Sequence, residues 1–301
     1  MRSGWAEVRY RWLLPLARGG RARGRAYARI VARVERASDP ERVRVASARI
    51  ARALSLDPVR AERVYRGCLY SEALEEADSV YFMHRPALDP ALFQFDELPE
   101  ALDGARPANV GTNVGTDVGT IFGTLHFGAP VLCYLALCAR LGGGLSIVGR
   151  PLDDANPMPE SKRTYARAKV RWAEQVAGRP FIATDSAAMA QARDELLAGR
   201  SLFTPIDVPG SVARRAATVP VFGEPVRFAC GLMTLARLTG ATVVPVVAAS
   251  SPDGIRVRFG QRLDPGGGAD DLLGRALGEL LRFVRTNPDE WWMWPYLEPA
   301  R

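Results

Sequence analysis

The fold class follows from one stretch of the chain, Thr120-Ile121-Phe122-Gly123-Thr124-Leu125-His126-Phe127-Gly128-Ala129-Pro130-Val131. Its β-branched and apolar residues predict a strand, and the apolar spacing from Leu132 to Leu141 predicts a helix directly after it. Pro130 fits the first position of that helix, where its missing N–H is not needed. The strand therefore delivers His126, one of two histidines in the chain, to the start of a helix.

His126 is a candidate general base. A residue at the carboxyl end of such a strand lies where open α/β sheets bind their ligands. The imidazole suits proton transfer because its unperturbed pKa is close to physiological pH. The alternative is a half-buried, hydrogen-bonded histidine in a loop, since no acid lies near it in the sequence. The local sequence leaves both interpretations open.

The alternation of strands and helices continues towards the C-terminus. Strands are predicted at residues 145–148, 201–206, 242–248 and 255–259, and helices at residues 160–177, 186–198, 231–238 and 270–285. Two further helices are predicted between residues 40 and 77, divided at Asp57-Pro58. This order predicts an α/β fold, a single domain with a mixed, mostly parallel sheet flanked by helices on both faces. A chain of 301 residues, 48% of them apolar, is long enough for one such core.

Residues 1–38 form a basic segment ahead of the α/β domain, which we assign to residues 39–301. The segment carries ten arginines among apolar residues that include Trp5, Trp12 and Ile30. This composition is typical of a basic amphipathic helix, which can lie on an anionic membrane. Each basic residue near such a surface contributes roughly 1 kcal/mol. A solvated helix that packs on the domain explains the same pattern equally well.

The whole chain is basic, with a net charge of +7, and Lys162 and Lys169 are its only lysines. Such a surface favours an anionic partner, which can be a nucleic acid, an anionic membrane or an acidic carrier protein. We expect no nucleic acid, because no recognition motif accompanies the arginines.

The cysteines give no sign of a metal site. Cys68, Cys133, Cys138 and Cys230 have no metal-binding spacing with the two histidines, so we expect buried free thiols and a reducing compartment. The apolar run near the N-terminus is too short for a transmembrane span or a signal peptide. We therefore expect a soluble or peripheral protein.

Further motifs follow the histidine in a fixed order. They are Leu125-His126-Phe127-Gly128, Val148-Gly149-Arg150-Pro151-Leu152, Asp207-Val208-Pro209-Gly210, Val219-Pro220-Val221-Phe222-Gly223-Glu224-Pro225, Gly231 with Leu235-Ala236-Arg237, Gly240-Ala241, Val243-Val244-Pro245-Val246, and Pro288-Asp289-Glu290-Trp291-Trp292-Met293-Trp294. Their order and spacing resemble those of the bacterial lipid A late acyltransferases, the lauroyl and myristoyl acyltransferase-like family of the lysophospholipid acyltransferase superfamily. The likeness covers residues 40–297 and implies a glycerolipid-acyltransferase-like fold.

This resemblance implies an activity. A fatty acyl group would move from the thioester of acyl carrier protein or acyl-CoA to a hydroxyl or amine of a lipid or glycolipid acceptor. The reaction would need no cofactor beyond the thioester, and it would take place at the cytoplasmic side of the cell membrane, on its anionic surface. His126 would be the general base, with backbone amides or an arginine stabilising the oxyanion.

The resemblance also implies substrate-binding residues. Gly128 follows the histidine in the family motif, and Arg150 follows the next strand, which we expect beside the histidine's strand and near the acceptor's phosphate or sugar. Arg214 and Arg215 could bind a phosphate or the carrier's phosphopantetheine arm in a bidentate manner. They could equally be solvated loop charges.

The chain departs from the family at one position. The family signature is histidine, four residues and then Asp or Glu, whereas Val131 stands at that position here. Valine can neither orient the imidazole nor stabilise its cation. Asp207 is the first candidate for a substitute acid, followed by Asp185 and Asp117. Asp207 also precedes Val-Pro-Gly, where an aspartate is favourable for a turn in its own right.

The missing acid leaves a second function open, that of a catalytically degenerate homologue that binds acyl chains or acyl carrier protein. Two other features have their own alternatives. His84 matches no family motif, and we expect it to be structural. The tryptophans at 291, 292 and 294 either anchor the C-terminus at a lipid interface or close a core.

Overall fold

The computed structural model describes residues 3–85, 88–96, 118–153, 158–184, 188–251 and 253–298. Within these ranges nine α-helices accompany a seven-stranded sheet and a two-stranded ribbon. The helices are α1 Ser3–Glu7, α2 Arg21–Ser38, α3 Pro40–Leu54, α4 Pro58–Met83, α5 Pro130–Leu141, α6 Glu160–Ala177, α7 Ala188–Leu197, α8 Gly231–Thr239 and α9 Ala269–Thr286. The strands are β1 Phe93–Phe95, β2 Ile121–Thr124, β3 Leu145–Gly149, β4 Ile182–Ala183, β5 Ser201–Pro205, β6 Ala216–Val221, β7 Glu224–Ala229, β8 Val243–Ser251 and β9 Gly254–Phe259.

The main sheet has the strand order β1-β9-β8-β2-β5-β3-β4, with β2 at its centre. Parallel pairing joins β8 to β2, β2 to β5, β5 to β3 and β3 to β4. Antiparallel pairing joins β8 to β9, and β1 lies parallel to β9. The sheet is therefore mixed and mostly parallel, which confirms the predicted α/β class. The antiparallel β6-β7 ribbon was not among the predicted strands.

Consecutive residues of the central strands enter opposite halves of the core. Ile121 belongs to the half that includes α7, α8 and α9, whereas Phe122 belongs to the half that includes α5 and residues of α6. The next strand follows the same rule, with Leu202 in the first half and Phe203 in the second. Helices cover both faces of the sheet, which explains why these strands are almost continuously apolar.

The helix that follows the histidine begins at Pro130, as the sequence predicts. It ends at Leu141, and the next residue, Gly142, has the left-handed backbone conformation. The two helices predicted between residues 40 and 77 are α3 and α4. Each begins at an aspartate cap, because Asp39 and Asp57 accept the backbone N–H three residues later. Helix α4 extends six residues beyond the predicted end, to Met83, because its last turns remain buried.

The basic N-terminal segment is not a single helix. A π-helical stretch (Val8–Leu13) and a 3-10 stretch (Leu14–Gly19) separate α1 from α2. The buried Arg9 guanidinium donates to Glu35 at 2.8 Å and to Glu76 of α4 at 2.8 Å. Tyr10 and Tyr27 also donate to Glu76. One side of the segment thus packs on α4 through a buried ionic network. This agrees with the second interpretation of the segment, a helix that packs on the domain.

Other predictions have mixed outcomes. All four cysteines are free and buried, as predicted. No helix in the described part of the chain has an apolar stretch long enough to cross a membrane. Asp117 and Asp185 lie outside the described residues.

Candidate active site

His126 and Asp207 meet at the carboxyl edge of the sheet. Strands β2 and β5 pair in parallel with Thr124 opposite Pro205. Ile206 extends the pairing by donating its backbone N–H to the Thr124 carbonyl at 2.8 Å. His126 lies two residues beyond Thr124, and Asp207 lies two residues beyond Pro205. The strand register therefore places the two side chains next to each other.

The Asp207 carboxylate contacts the histidine twice. Its Oδ2 atom accepts the backbone N–H of His126 at 2.8 Å, and its Oδ1 atom lies 2.7 Å from Nδ1 of the ring. Because an ionised carboxylate only accepts hydrogen bonds, this contact assigns the ring proton to Nδ1. Nε2 then carries the lone pair. The histidine side chain is 36% exposed, whereas Asp207 is fully buried.

Trp291 completes the environment of the carboxylate. Its Nε1 donates to Oδ2 of Asp207 at 2.9 Å, so the buried carboxylate accepts three hydrogen bonds. These bonds compensate the charge for its lost hydration. Trp291 and Trp294 are fully buried with their rings edge-to-face at 4.8 Å, which confirms the core interpretation for both. Trp292 is partly exposed, with its ring 6.4 Å from the imidazole.

The side chain of Asp207 does not stabilise its own turn. Its hydrogen bonds reach His126 and Trp291, which lie 81 and 84 residues away in the chain. The first-ranked substitute acid thus contacts the imidazole in the manner expected of an orienting carboxylate. The sequence predicts no contact between Trp291 and Asp207, although Trp291 belongs to the C-terminal motif of the resemblance.

The surroundings of the ring raise the pKa of His126 above its ordinary value. Burial lowers this pKa, but the negative charge of Asp207 and its hydrogen bond to the ring outweigh burial. Glu72 of α4 raises the pKa further, and Lys169 of α6 lowers it. An imidazolium that forms at this position is therefore stabilised. Sequence reasoning did not place Glu72 or Lys169 near the site, because their helices reach it only through tertiary packing.

Gly128 has a structural role in the loop after β2, and its assignment to substrate binding stays a prediction. Its backbone N–H donates to the Glu290 carbonyl at 2.8 Å, so this amide is not available to a ligand. Its φ is +56°, and a Cβ atom would lie 2.2 Å from the Ala248 carbonyl oxygen. Only glycine permits this close approach of the loop to β8. The next amide, that of Ala129, is likewise bound to the Ala248 carbonyl.

The sequence predicts that Arg150 follows the strand next to the histidine's strand, and this prediction is wrong. Arg150 follows β3, and β5 lies between β3 and β2. With strands spaced about 4.8 Å apart, the ends of β2 and β3 are roughly 10 Å apart. Arg150 is exposed at the same edge of the sheet, so it borders the site from two strands away.

Arg214 and Arg215, the two arginines predicted to bind a phosphate, lie in a surface loop. Both are exposed, in the loop that leads into the β6-β7 ribbon. The carbonyl of Arg215 accepts the backbone N–H of Cys230 at 3.1 Å, which ties the base of the loop. No hydrogen bond or ion pair found among the described residues links either guanidinium to His126 or Asp207. Their assignment to substrate binding stays a prediction.

His84 is structural in its contacts. Its Nδ1 lies 2.9 Å from the Val80 carbonyl, one turn back at the end of α4. In the described part of the chain, no three His, Cys, Asp or Glu side chains come together in a group that could hold a metal ion. The chemistry that the contact between His126 and Asp207 offers is proton transfer by the imidazole.

Comparison with known proteins adds no family assignment, because no protein-family model matches the chain and no curated protein matches it in sequence.

Proposed function

We propose that this protein is an acyltransferase that moves a fatty acyl group from the thioester of acyl carrier protein or acyl-CoA to a hydroxyl or amine of a lipid or glycolipid acceptor. The contact between His126 and buried Asp207 carries the proposal. It supplies, from another strand, the carboxylate that Val131 cannot provide. The sequence resemblance to lipid A acyltransferases supplies the reaction class.

The proposed reaction uses Nε2 of His126 as the base. Nε2 takes the proton of the acceptor hydroxyl or amine as its oxygen or nitrogen attacks the thioester carbonyl. Asp207 stabilises the imidazolium and keeps the other ring proton on Nδ1. The tetrahedral intermediate then collapses, the C–S bond breaks, and the imidazolium returns its proton to the leaving thiolate.

The oxyanion of the intermediate needs donors that the fold does not already use. The amides of Gly128 and Ala129 are bound to carbonyls, and Pro130 has no N–H. We assign the oxyanion to the next amides in the first turn of α5, those of Val131 and Leu132. The first amides of a helix have no partner within the helix, and the helix dipole favours negative charge there.

The outer surface of the N-terminal segment supports an anionic membrane as a partner. Val8, Trp12 and Leu16 are large apolar side chains that are 43%, 67% and 59% exposed. Arg11 and Arg18, in the same stretch of the chain, are also exposed. Large apolar side chains among exposed arginines suit the surface of an anionic bilayer. The proposed place of action is the cytoplasmic side of the membrane, to which the protein binds peripherally.

A binding protein without catalysis is the second candidate. The occupied amides of Gly128 and Ala129 favour it, because they remove two donors that an oxyanion could otherwise use. Such a protein would hold an acyl chain or acyl carrier protein in place without breaking the thioester.

The test is acyl transfer from labelled acyl carrier protein and acyl-CoA to a panel of lipid hydroxyl and amine acceptors. The wild type is compared with His126→Ala and with His84→Ala, which changes the only other histidine. We expect transfer by the wild type and His84→Ala and its loss in His126→Ala. Equal transfer by all three proteins would contradict the assigned base. Absence of transfer with retained binding of acyl carrier protein would favour the binding protein.

A further inference from the structure

A cluster of charged side chains is centred on Glu72 of α4, a carboxylate whose charge also raises the pKa of His126. One carboxylate oxygen of Glu72 lies 3.9 Å from Nη2 of Arg42, and the other lies 3.9 Å from Nζ of Lys162. Both distances exceed those of hydrogen bonds. All three side chains are partly exposed. The three charges are thus held close together without being joined.

The two lysines of the chain differ in this respect. Lys169 donates to both oxygens of Glu75 at 3.1 Å, and Glu75 is buried. This is a closed ion pair. Lys162 makes no such bond, because its nearest carboxylate oxygen, on Glu72, lies 3.9 Å away. The ammonium group of Lys162 also lies 5.9 Å from the centre of the Tyr10 ring, and its N–H donors have no hydrogen-bond partner among the described residues.

Arg42 and Tyr65 add donors without partners. Nε of Arg42 and the hydroxyl of Tyr65 are buried, and neither has a hydrogen-bond partner among the described residues. The guanidinium lies over the Tyr296 ring at 5.2 Å. Burial raises the pKa of the Tyr65 hydroxyl, and the positive charge of Arg42 opposes that shift. Buried polar groups nearly always have partners, so these atoms indicate a ligand or ordered water.

The chemistry of the cluster favours an anion. Arg42 and Lys162 bring two positive charges against the one negative charge of Glu72. The pKa of Glu72 is lowered, because Lys162 and Arg42 outweigh its burial, and the carboxylate is ionised at neutral pH. Arginine offers a planar fork that matches phosphate oxygens, and lysine adds a mobile point charge. The Glu72 carboxylate, at 3.9 Å, forms no hydrogen bond with Arg42 or Lys162. A tetrahedral phosphate could accept hydrogen bonds from both side chains.

We propose that Arg42, Lys162 and Tyr65 bind a phosphate group of a substrate, and that Glu72 occupies this subsite in the free protein. The incoming phosphate displaces the carboxylate, which makes Glu72 an internal competitor. The identity of the substrate rests on the proposed acyltransferase function. Its phosphate comes either from the headgroup of the lipid acceptor or from the phosphopantetheine arm of the acyl donor.

The test measures binding of inorganic phosphate to the full chain, followed by the imidazole resonance of His126 and by phosphorus NMR. We expect Glu72→Gln to bind phosphate at least about tenfold more tightly, because it removes a like charge near 4 Å. Arg42→Gln and Lys162→Gln should each weaken binding about tenfold, since each removes a charged donor. Glu62→Gln on α4 and Arg44→Gln on α3 are matched controls, because both side chains lie in other ion pairs.

Two probes identify the source of the phosphate. Short-chain phosphatidic acid represents the acceptor headgroup, and 4′-phosphopantetheine represents the donor arm. Displacement of bound phosphate by either one supports the subsite and names the substrate that fills it. The proposal fails if Glu72→Gln does not tighten phosphate binding, or if Arg42→Gln binds like the wild type. Since no turnover is measured, this failure is distinct from an absence of acyl transfer.

Discussion

Asp207 lies beside His126 because each residue extends two positions beyond a shared register pair, Thr124 opposite Pro205. The carboxylate binds both the backbone N–H and the ring Nδ1 of the histidine. This double contact fixes the loop after β2 and the orientation of the imidazole together. A shift of one residue between β2 and β5 would break both bonds.

Asp207→Asn should lower acyl transfer by a factor on the order of 10⁴, as the loss of an orienting carboxylate does in a catalytic triad. We expect the amide oxygen to take the place of Oδ2, where the His126 backbone N–H and Trp291 Nε1 donate. The NH₂ group then donates to Nδ1, so the ring proton moves to Nε2 and the base is lost. Turnover of purified protein measures the effect. Asp194→Asn, an exposed aspartate on α7, is the control. A loss of less than tenfold would show that the carboxylate does not orient the base.

The transfer rate should rise with pH through the pKa of His126, which lies above the ordinary histidine value. The base must be neutral to accept a proton, so the rate follows the deprotonated fraction. NMR titration of the His126 ring in a His84→Gln background gives the pKa directly. Asp207→Asn should move the midpoint to lower pH, because it removes the charge that raises this pKa. An unchanged midpoint would contradict the assigned cause.

The same raised pKa predicts a pH-dependent stability. When a histidine has a higher pKa in the folded chain than in the unfolded chain, its protonation stabilises the fold. This stabilisation is complete at pH values below the pKa of the unfolded chain, and it is lost as the pH rises through the pKa of the folded chain. His126→Gln should therefore lower the free energy of unfolding more at about pH 5 than at about pH 9. Urea denaturation of both proteins at the two pH values measures the difference, and the opposite order would overturn the prediction.

Trp291→Phe should cost about 1.5–3 kcal/mol of folding stability, because it removes a buried hydrogen bond to a charged acceptor. Trp294→Phe is the matched comparison. Trp294 is equally buried, but its Nε1 donates to the neutral carbonyl of Pro288 at 2.9 Å. That loss should cost about 0.5–1.5 kcal/mol. Equal costs, measured by urea unfolding, would show that the charge of Asp207 adds nothing to the bond.

Gly128→Ala should destabilise the fold more than Gly240→Ala. Both glycines have positive φ values, +56° and +80°, so alanine is strained at either position by about 1–2 kcal/mol. Only at Gly128 does the added Cβ meet backbone, at 2.2 Å from the Ala248 oxygen, whereas at Gly240 it meets nothing within 4 Å. The difference in midpoint of thermal unfolding isolates this clash. Equal shifts would show that the loop moves away from β8 without cost.

The double variant Trp12→Ala, Leu16→Ala should bind anionic vesicles at least about tenfold more weakly, because it removes apolar surface that enters the bilayer. Added salt should weaken binding of the wild type, since the arginines contribute electrostatically. Sedimentation with phosphatidylglycerol vesicles measures both effects. Leu238→Ala is the control, because Leu238 is 77% exposed on α8. Equal loss in the control, or strong binding to neutral vesicles, would contradict the assigned surface.

Elements with a strong local pattern were predictable from the sequence. The strand at β2 and the helix that begins at Pro130 needed only apolar spacing and a proline at the first helical position. The β6-β7 ribbon was missed, although its buried residues alternate along both strands. Pro220 and Pro225 argue against strands because they cannot donate to a ladder, yet in a two-stranded ribbon they pair opposite each other at an edge.

The sequence by itself determined that His126 follows a strand, that Val131 stands where the family motif has an acid, and that Asp207 is a candidate partner of the imidazole. Only the tertiary structure decided that β5, rather than the β3 that follows β2 in the chain, pairs with β2 and brings Asp207 to the ring. Parallel strands join through long crossovers, so their order depends on how the two faces of the sheet are covered and not on local periodicity. The same holds for Trp291, whose contact with the carboxylate depends on where the C-terminal segment packs.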